Sequence, residues 1–328
     1  MTTALIYEEL ARGDLGLAVS HMCTSWAWKP AFTVAKRCPK KVRPIFDAFA
    51  KVFTEDKVGV ACFAMTEPGG SHGGGGCDIE SYKYKGTKLK TIFRTEGDKC
   101  IINGTKLWAT NSGIADLYCV LGTVDPSLGE AGLMLAYIPK DWPGLTLGPD
   151  EDKCGCRSDH NCPIYLDDVK IPREWTIGPG EEAIPAFWNQ LPGVSSGAFA
   201  TGIMQAVLEI LLEYTGERIV GDRPIRQHGG PAEIIAEIAM RTEMARTWYL
   251  VTGYMCDHPE TYGDRLETPY LRSRMNMARI QGENAVWYAE QAIRLMGNYG
   301  YVRENHVEKY WRDALELTLW KGGTHMSL

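Results

Sequence analysis

The spacing of hydrophobic positions changes twice along the chain. In "TALIYEELARGDLGLAVSHM", Leu5, Leu10, Leu15 and Val19 stand among polar residues at helical rather than alternating intervals, so residues 1–57 read as helices. Between 58 and 178 the apolar runs become short. "GVACFAM", "KLKTIFRTE", "KCIINGTKLWAT", "LYCVLGTV", "GLMLAYIP" and "YLDDVKIP" are rich in β-branched and aromatic residues and are separated by turn signals. They predict strands. Asn103-Gly104 predicts a hairpin turn, because both residues tolerate a positive φ. Residues 179–328 return to helical patterning. "ATGIMQAVLEILLEYTGERI", "PAEIIAEIAMRTEMARTWYLVTGYMC", "TPYLRSRMNMARIQGENAVWYAEQAIRLMGNYG" and "NHVEKYWRDALELTLW" predict four long helices, two of them opening at a proline. Helices, then strands, then helices argue an α+β fold rather than a doubly wound sheet.

Composition narrows the function classes. The chain has 328 residues, 45% of them hydrophobic and 23% charged, which suits a globular protein with a sizeable core. The formal net charge is −6, and the densest basic run, "RCPKKVR", reads as a solvated segment, so nucleic acid is not an expected partner. No uninterrupted apolar run reaches the ~18–20 residues of a membrane span. The start carries acids where a signal peptide carries lysine or arginine, and a cytoplasmic location is the expectation. Most of the ten cysteines are scattered and read as small core residues. "CGCRSDHNC" gathers Cys154, Cys156, His160 and Cys162, soft ligand types, but not at the spacing of a zinc finger. A surface loop without metal is the expectation there.

The glycine-rich stretch "CFAMTEPGGSHGGGGCD" (Cys62–Asp78) carries candidate chemistry. Bare backbone of this kind serves close approach to a ligand. The stretch fits neither the dinucleotide fingerprint nor a phosphate loop, since no Gly-Lys-Ser/Thr follows the glycines. Backbone N–H groups and hydroxyls of "TEPGGS" can instead bond the polar edge of a cofactor or a phosphate. "KLWATNSG" (Lys106–Gly113), taken alone, reads as a strand with a core tryptophan.

Three segments in order, "AMTEPGGSHGG", "KLWATNSG" and "MGNYGYVRENHVEKYWRDA", resemble the T-E-P-x-x-G-S-D, K-x-W-I-T-N and C-terminal G-G-x-G…R-D-A motifs of the acyl-CoA dehydrogenase flavoproteins. Their intervals agree over essentially the whole chain. The resemblance implies an N-terminal helical domain (1–57), a middle β barrel (58–178) and a C-terminal four-helix bundle (179–328), with FAD as cofactor. It implies that Phe63, Met65 and Thr66 line the flavin and that Gly70 and Ser71 sit near its pyrophosphate and the acyl-CoA. Trp108 would pack on the isoalloxazine, with Ala109 beside it and Thr110 bonding near the reactive nitrogen. "GERIVGDRPIRQH" is similar to a family segment in which Arg218 reaches the FAD phosphates of a neighbouring subunit, a task suited to a permanent charge with a planar donor fork. His228 falls just before the usual glutamine position. Arg294 stands where many members carry glutamine, and Gly297 where they carry a Gly-Gly pair. Thr324 belongs to the implied FAD site, and Ser71 and Gly323 to the substrate site. The charged residues of Arg303–Ala314 read as structural helix–helix ion pairs.

The implied activity is α,β-dehydrogenation of an acyl-CoA thioester, with a cyclic or polar acyl group, an electron-transfer flavoprotein as acceptor and a dimer-of-dimers homotetramer as assembly. The sequence departs from the family at the base. Counting from Arg312-Asp313 puts Lys321 at the usual glutamate position, and counting back from Gly323-Thr324 puts Gly322 there. A second family position for the base falls near Pro192-Gly193, also without a carboxylate. Lys321 can be a base only if burial lowers its pKa. His325, His160 and Asp159 are further candidates by residue type. His72 replaces the motif aspartate. The alternatives are a non-catalytic subunit that completes a glutamate-bearing paralogue in a hetero-oligomer, and a flavin oxidase or monooxygenase on the same fold. The chain also starts at the family's fourth helix, which reads as a fragment or a reduced member.

Overall fold

The computed structural model describes residues 1–54, 59–68, 89–188, 194–265 and 267–320, and the side chains of all of these except 278 and 279. The chain forms two compact units. One comprises residues 19–152 and 159–191, and the other residues 1–18, 153–158 and 192–328. The fold is α+β, as the order of patterns predicts.

The first unit is built on a curled eight-stranded sheet. Its strands are β1 (Ala61–Ala64), β2 (Ile92–Glu96), β3 (Lys99–Lys106), β4 (Leu117–Thr123), β5 (Leu133–Pro139), β6 (Leu145–Leu147), β7 (Ile164–Pro172) and β8 (Thr176–Ile177). They run in the order β6-β7-β3-β2-β4-β5-β8, with β1 added parallel to β4. β4 and β5 are apolar at nearly every position because both of their faces are covered. Side chains alternate between faces along a strand. Leu117, Cys119 and Leu121 therefore join one core with Trp28 and Phe49, while Tyr118 and Val120 join another with Phe93 and Val169. Trp28 lies on helix α2 (Leu15–Ala35) and Phe49 ends helix α3 (Pro39–Phe49). The buried Tyr137 hydroxyl donates to the Ala27 carbonyl at 2.9 Å and accepts from the Ala31 amide, fixing α2 on β5.

The hairpin turn lies elsewhere than at Asn103-Gly104. β2 and β3 are joined by Gly97-Asp98, with Gly97 at φ 62°. Asn103-Gly104 is instead a bulge within β3, where the register with β7 shifts. Asn103 is occupied across the strands, its Nδ2 donating to Asp168 Oδ1 and its Oδ1 accepting the Asp168 amide, both at 2.9 Å. A Cβ on Gly104 would lie 2.6 Å from Thr91 Oγ1, so glycine serves close approach as well as conformation here.

The second unit is helical: α1 (Thr2–Gly13), α5 (Ser195–Glu217), α6 (Gly229–Asp257), α8 (Pro269–Met296) and α10 (Val307–Leu317). A short helix α4 (Ala183–Trp188) belongs to the first unit, and α7 (Pro259–Tyr262) and α9 (Asn298–Tyr301) are single turns in the second. α5, α6, α8 and α10 pack as the predicted bundle. α5 also carries α1 on a face of small residues. A Cβ on Gly202 would lie 2.2 Å from the Glu8 carbonyl, and Tyr7 meets Phe199 with ring centroids 5.3 Å apart. By length and composition α5 could cross a membrane, although polar residues interrupt its apolar positions, and most of its apolar stretch is buried.

The "CGC" segment is explained by packing on α10. A Cβ on Gly155 would lie 2.2 Å from the Arg312 carbonyl, the Cys156 amide donates to Asp313 Oδ1 at 2.6 Å, and Arg312 Nη1 donates to the Cys154 carbonyl. Lys309 pairs with Asp14 beyond the end of α1, whereas its pair with Asp313 and that of Arg312 with Glu308 run one turn along α10 itself rather than between helices.

Candidate functional site

In the sheet unit, the end of β1 and the segment after β3 lie side by side. The Leu107 amide donates to the Thr66 carbonyl at 2.9 Å. Beneath them Lys106 and Glu67 form an ion pair of 2.7 Å with both side chains 0% exposed. Lys106 Nζ also donates to the Met65 carbonyl at 3.0 Å, and Glu67 accepts the amides of Lys90 and Thr91. A buried charge is tolerated only when paired and hydrogen-bonded, as both are. Burial pulls the Lys106 ammonium down to about 8, against the opposing pull of Glu67. Burial pushes Glu67 upward, but the Lys106 charge and its hydrogen bonds outweigh it and leave the carboxyl below its usual range.

The strand ends at Lys106, and "LWATNSG" is a loop rather than the predicted strand. Two of its residues are left-handed, Trp108 at φ 58° and Asn111 at φ 70°. Asn111 is fully buried, and its Nδ2 donates to the Ser20 and Ala61 carbonyls and to Thr24 Oγ1. Asp159, 1% exposed, accepts the Thr110 hydroxyl on one oxygen and the Asn111 amide on the other, both at 3.2 Å. Asn161 Nδ2 donates to the Trp108 carbonyl at 3.3 Å. Trp108 itself is 58% exposed, a large apolar ring presented outward from a braced loop.

The helical unit assembles a second group of candidates. Arg218 caps α5, its amide bonding the Tyr214 carbonyl, and its guanidinium lies 5.8 Å from the centre of the Tyr299 ring. The Tyr214 hydroxyl donates to the Met296 carbonyl at 3.2 Å, which brings the C-terminal ends of α5 and α8 together. After Arg218 comes a hairpin of β9 (Ile219–Val220) and β10 (Arg223–Pro224). Its turn residues Gly221 and Asp222 have φ 53° and 71°, as a tight hairpin turn requires. His228 Nε2 lies 2.8 Å from the Val220 carbonyl, so that nitrogen carries the proton. Arg294 is exposed and pairs with Glu290 one turn earlier. Gly297 ends α8 at φ 61° with open space around it.

The candidates thus divide. Met65, Thr66, Trp108, Ala109 and Thr110 share one neighbourhood, and Phe63, 8% exposed, belongs to the core cluster that Met65 packs against. Arg218 and Gly297 share another, with Tyr299, which the motif reading passed over. Gly70, Ser71, His72, Lys321, Gly322, Gly323, Thr324, His325 and the Pro192-Gly193 pair lie outside the described residues. Asp159 is not a solvent-facing base: its oxygens are engaged by Thr110 and Asn111. His160 Nδ1 pairs with Asp150 at 2.8 Å. Asn161, in the same loop as Asp159, carries no sequence signal beyond its position between His160 and Cys162. Among the described residues no group of three or more His, Cys, Asp or Glu side chains could hold a metal ion.

Comparison with known proteins places two family models on the chain. "Acyl-CoA dehydrogenase, middle domain" matches residues 62–169, and "Acyl-CoA dehydrogenase, C-terminal domain" matches residues 194–328. The mitochondrial short-chain specific acyl-CoA dehydrogenase of Rattus norvegicus is 30% identical over 271 residues, 81% of this chain and 60% of the relative's length. The cyclohex-1-ene-1-carbonyl-CoA dehydrogenase of Geobacter metallireducens is 27% identical over 98% of this chain and 79% of its own. The structure of butyryl-CoA dehydrogenase from Megasphaera elsdenii superposes with a TM-score of 0.81 at 24% identity, covering 98% of this chain and 78% of that one, and shows the same fold.

Proposed function

The chain belongs to the acyl-CoA dehydrogenase family, and from that premise we propose that it binds FAD and oxidises an acyl-CoA thioester to its α,β-unsaturated product. FAD, when bound, supplies the hydride acceptor for such a reaction. The observation that carries the reading is the pair of motif segments locked by Lys106–Glu67, with Trp108 held outward above them. An exposed indole on a braced loop suits a flat heteroaromatic ring. Met65 and Thr66 bring backbone to the same place, and Arg218 offers a fixed charge of the kind that binds phosphate. These residues bind and orient. Among the described residues none is assigned as the base.

We assign an alicyclic acyl group as the substrate class, supported by the name of the Geobacter relative, and an electron-transfer flavoprotein as the electron acceptor. Self-association is supported by an exposed apolar stripe on α6, where Met240, Met244, Val251 and Tyr254 recur at helical spacing. The test is purification with FAD followed by anaerobic titration with cyclohexanecarbonyl-CoA and butyryl-CoA. A yellow protein bleached by either thioester, the first more readily, is the expected result. A colourless protein that takes up no FAD refutes the reading.

A further inference from the structure

The loop that presents Trp108 is strained for no purpose the fold itself reveals. A tryptophan at positive φ is an outlier, because its Cβ meets the neighbouring carbonyl. Such conformations persist only where the surroundings over-determine them. Those surroundings are visible. Asn161 holds the Trp108 carbonyl, and Asp159 holds the Thr110 hydroxyl and the Asn111 amide. Asn111, itself left-handed, is tied by its amide group to the Ser20 and Ala61 carbonyls. The bonding groups are all buried, while the residue they hold in place is exposed. Core packing cannot be the purpose of that arrangement, since the indole spends most of its surface on the outside.

We infer that Asp159 and Asn161 are positioning residues, whose buried side chains hold the 108–111 loop so that the Trp108 indole is preset to receive a flat aromatic ligand. On the proposed function that ligand is the flavin ring system, and the inference rests on that reading for the ligand's identity. The physical advantage is preorganisation: a ring already fixed in its bound pose loses less freedom on binding. Removing Asp159 deletes its bonds to the Thr110 hydroxyl and the Asn111 amide and frees the left-handed turn to relax. Asn161→Ala deletes the bond to the Trp108 carbonyl and acts in the same direction.

The test has two arms. The first needs no flavin: 5-fluorotryptophan is incorporated, and the Trp108 resonance is identified by its loss in Trp108→Phe. In the wild type this resonance is single and sharp, and Asp159→Ala shifts or broadens it. An unchanged Trp108 resonance overturns the inference. The second arm titrates FAD by quenching of flavin fluorescence. Asp159→Ala weakens binding about 3- to 10-fold, the range of one aromatic stacking contact, and the loss disappears when Asp159→Ala is added to Trp108→Ala, which has no ring left to misplace. A loss of equal size in both backgrounds would mean that Asp159 does not act through Trp108, and overturns the inference. Where Asp159→Ala does not fold, Asn161→Ala is read in both arms against the same criteria. Wild-type protein that binds no FAD defeats the proposed function alone, and the resonance arm still decides the positioning role.

Discussion

Replacing Lys106 by methionine should be among the most damaging single changes in the sheet unit. The side chain is 0% exposed and its ammonium bonds Glu67 and the Met65 carbonyl. Methionine keeps the volume and loses the charge, leaving Glu67 ionised in the interior. Removing one partner of a buried pair costs about 3–5 kcal/mol. Glu67→Gln keeps one acceptor oxygen where the carboxylate takes the Lys90 amide on Oε2 and the Thr91 amide on Oε1, and it leaves the Lys106 charge unpaired, so it should also cost about 3–5 kcal/mol. The double variant has no buried charge left and should lose at least ~1 kcal/mol less than the sum. Urea denaturation followed by circular dichroism measures all three. pH adds a second check. Lys106 is lowered to about 8 in the folded protein from an ordinary 10.5. Between those values the unfolded chain holds more protons, so its contribution to stability rises with pH, by up to ~1.4 kcal/mol per unit. The wild-type-minus-Lys106→Met difference should therefore be flat below pH 8 and climb above it. A Lys106→Met protein within ~1 kcal/mol of the wild type, with a flat difference curve, would refute the reasoning.

Gly155→Ala should destabilise the helical unit by about 1–3 kcal/mol, because the new methyl meets backbone at 2.2 Å with no side chain to yield; Gly13→Ala, with nothing within 4 Å, is the neutral control in the same thermal unfolding series. Glu8, 1% exposed, is raised by burial against the pull of Arg246. The folded state then holds the proton longer, so Glu8's contribution is greatest below the unfolded value of 4.5 and declines as pH rises through the folded pKa. The wild-type-minus-Glu8→Gln stability difference should fall across that window, and a difference that rises instead would show that Arg246 dominates.

The sequence exposes what depends on period. The strands of the sheet and the four long helices follow from alternation and helical spacing, and the apolar runs of β4 and β5 announce strands covered on both faces. What it hides is which of two equivalent local signals is used. Gly97-Asp98 and Asn103-Gly104 are both turn pairs, and only cross-strand pairing with Asp168 decides that the second becomes a bulge. The left-handed loop of "KLWATN" is not legible in the sequence, because tryptophan gives no local warning of a positive φ. Phe63 packs on the core face of β1, 8% exposed, a burial that its residue type alone does not announce. Asp159 looked like a candidate base since residue type reveals chemistry and not burial.

The packing of α1 on α5 has a consequence for biosynthesis. Tyr7 finds Phe199 at a sequence separation of 192, and Glu8 finds Arg246 at one of 238. At roughly 5–20 residues per second, the apolar face of α1 waits about 10–40 s on the ribosome before its partner helix exists. Through that interval Ala4, Tyr7 and Ala11 form a short adhesive stripe on a nascent chain. The window for chaperone capture, or for sticking to another nascent chain, thus opens at α1 and closes only when α5 and α6 have been made.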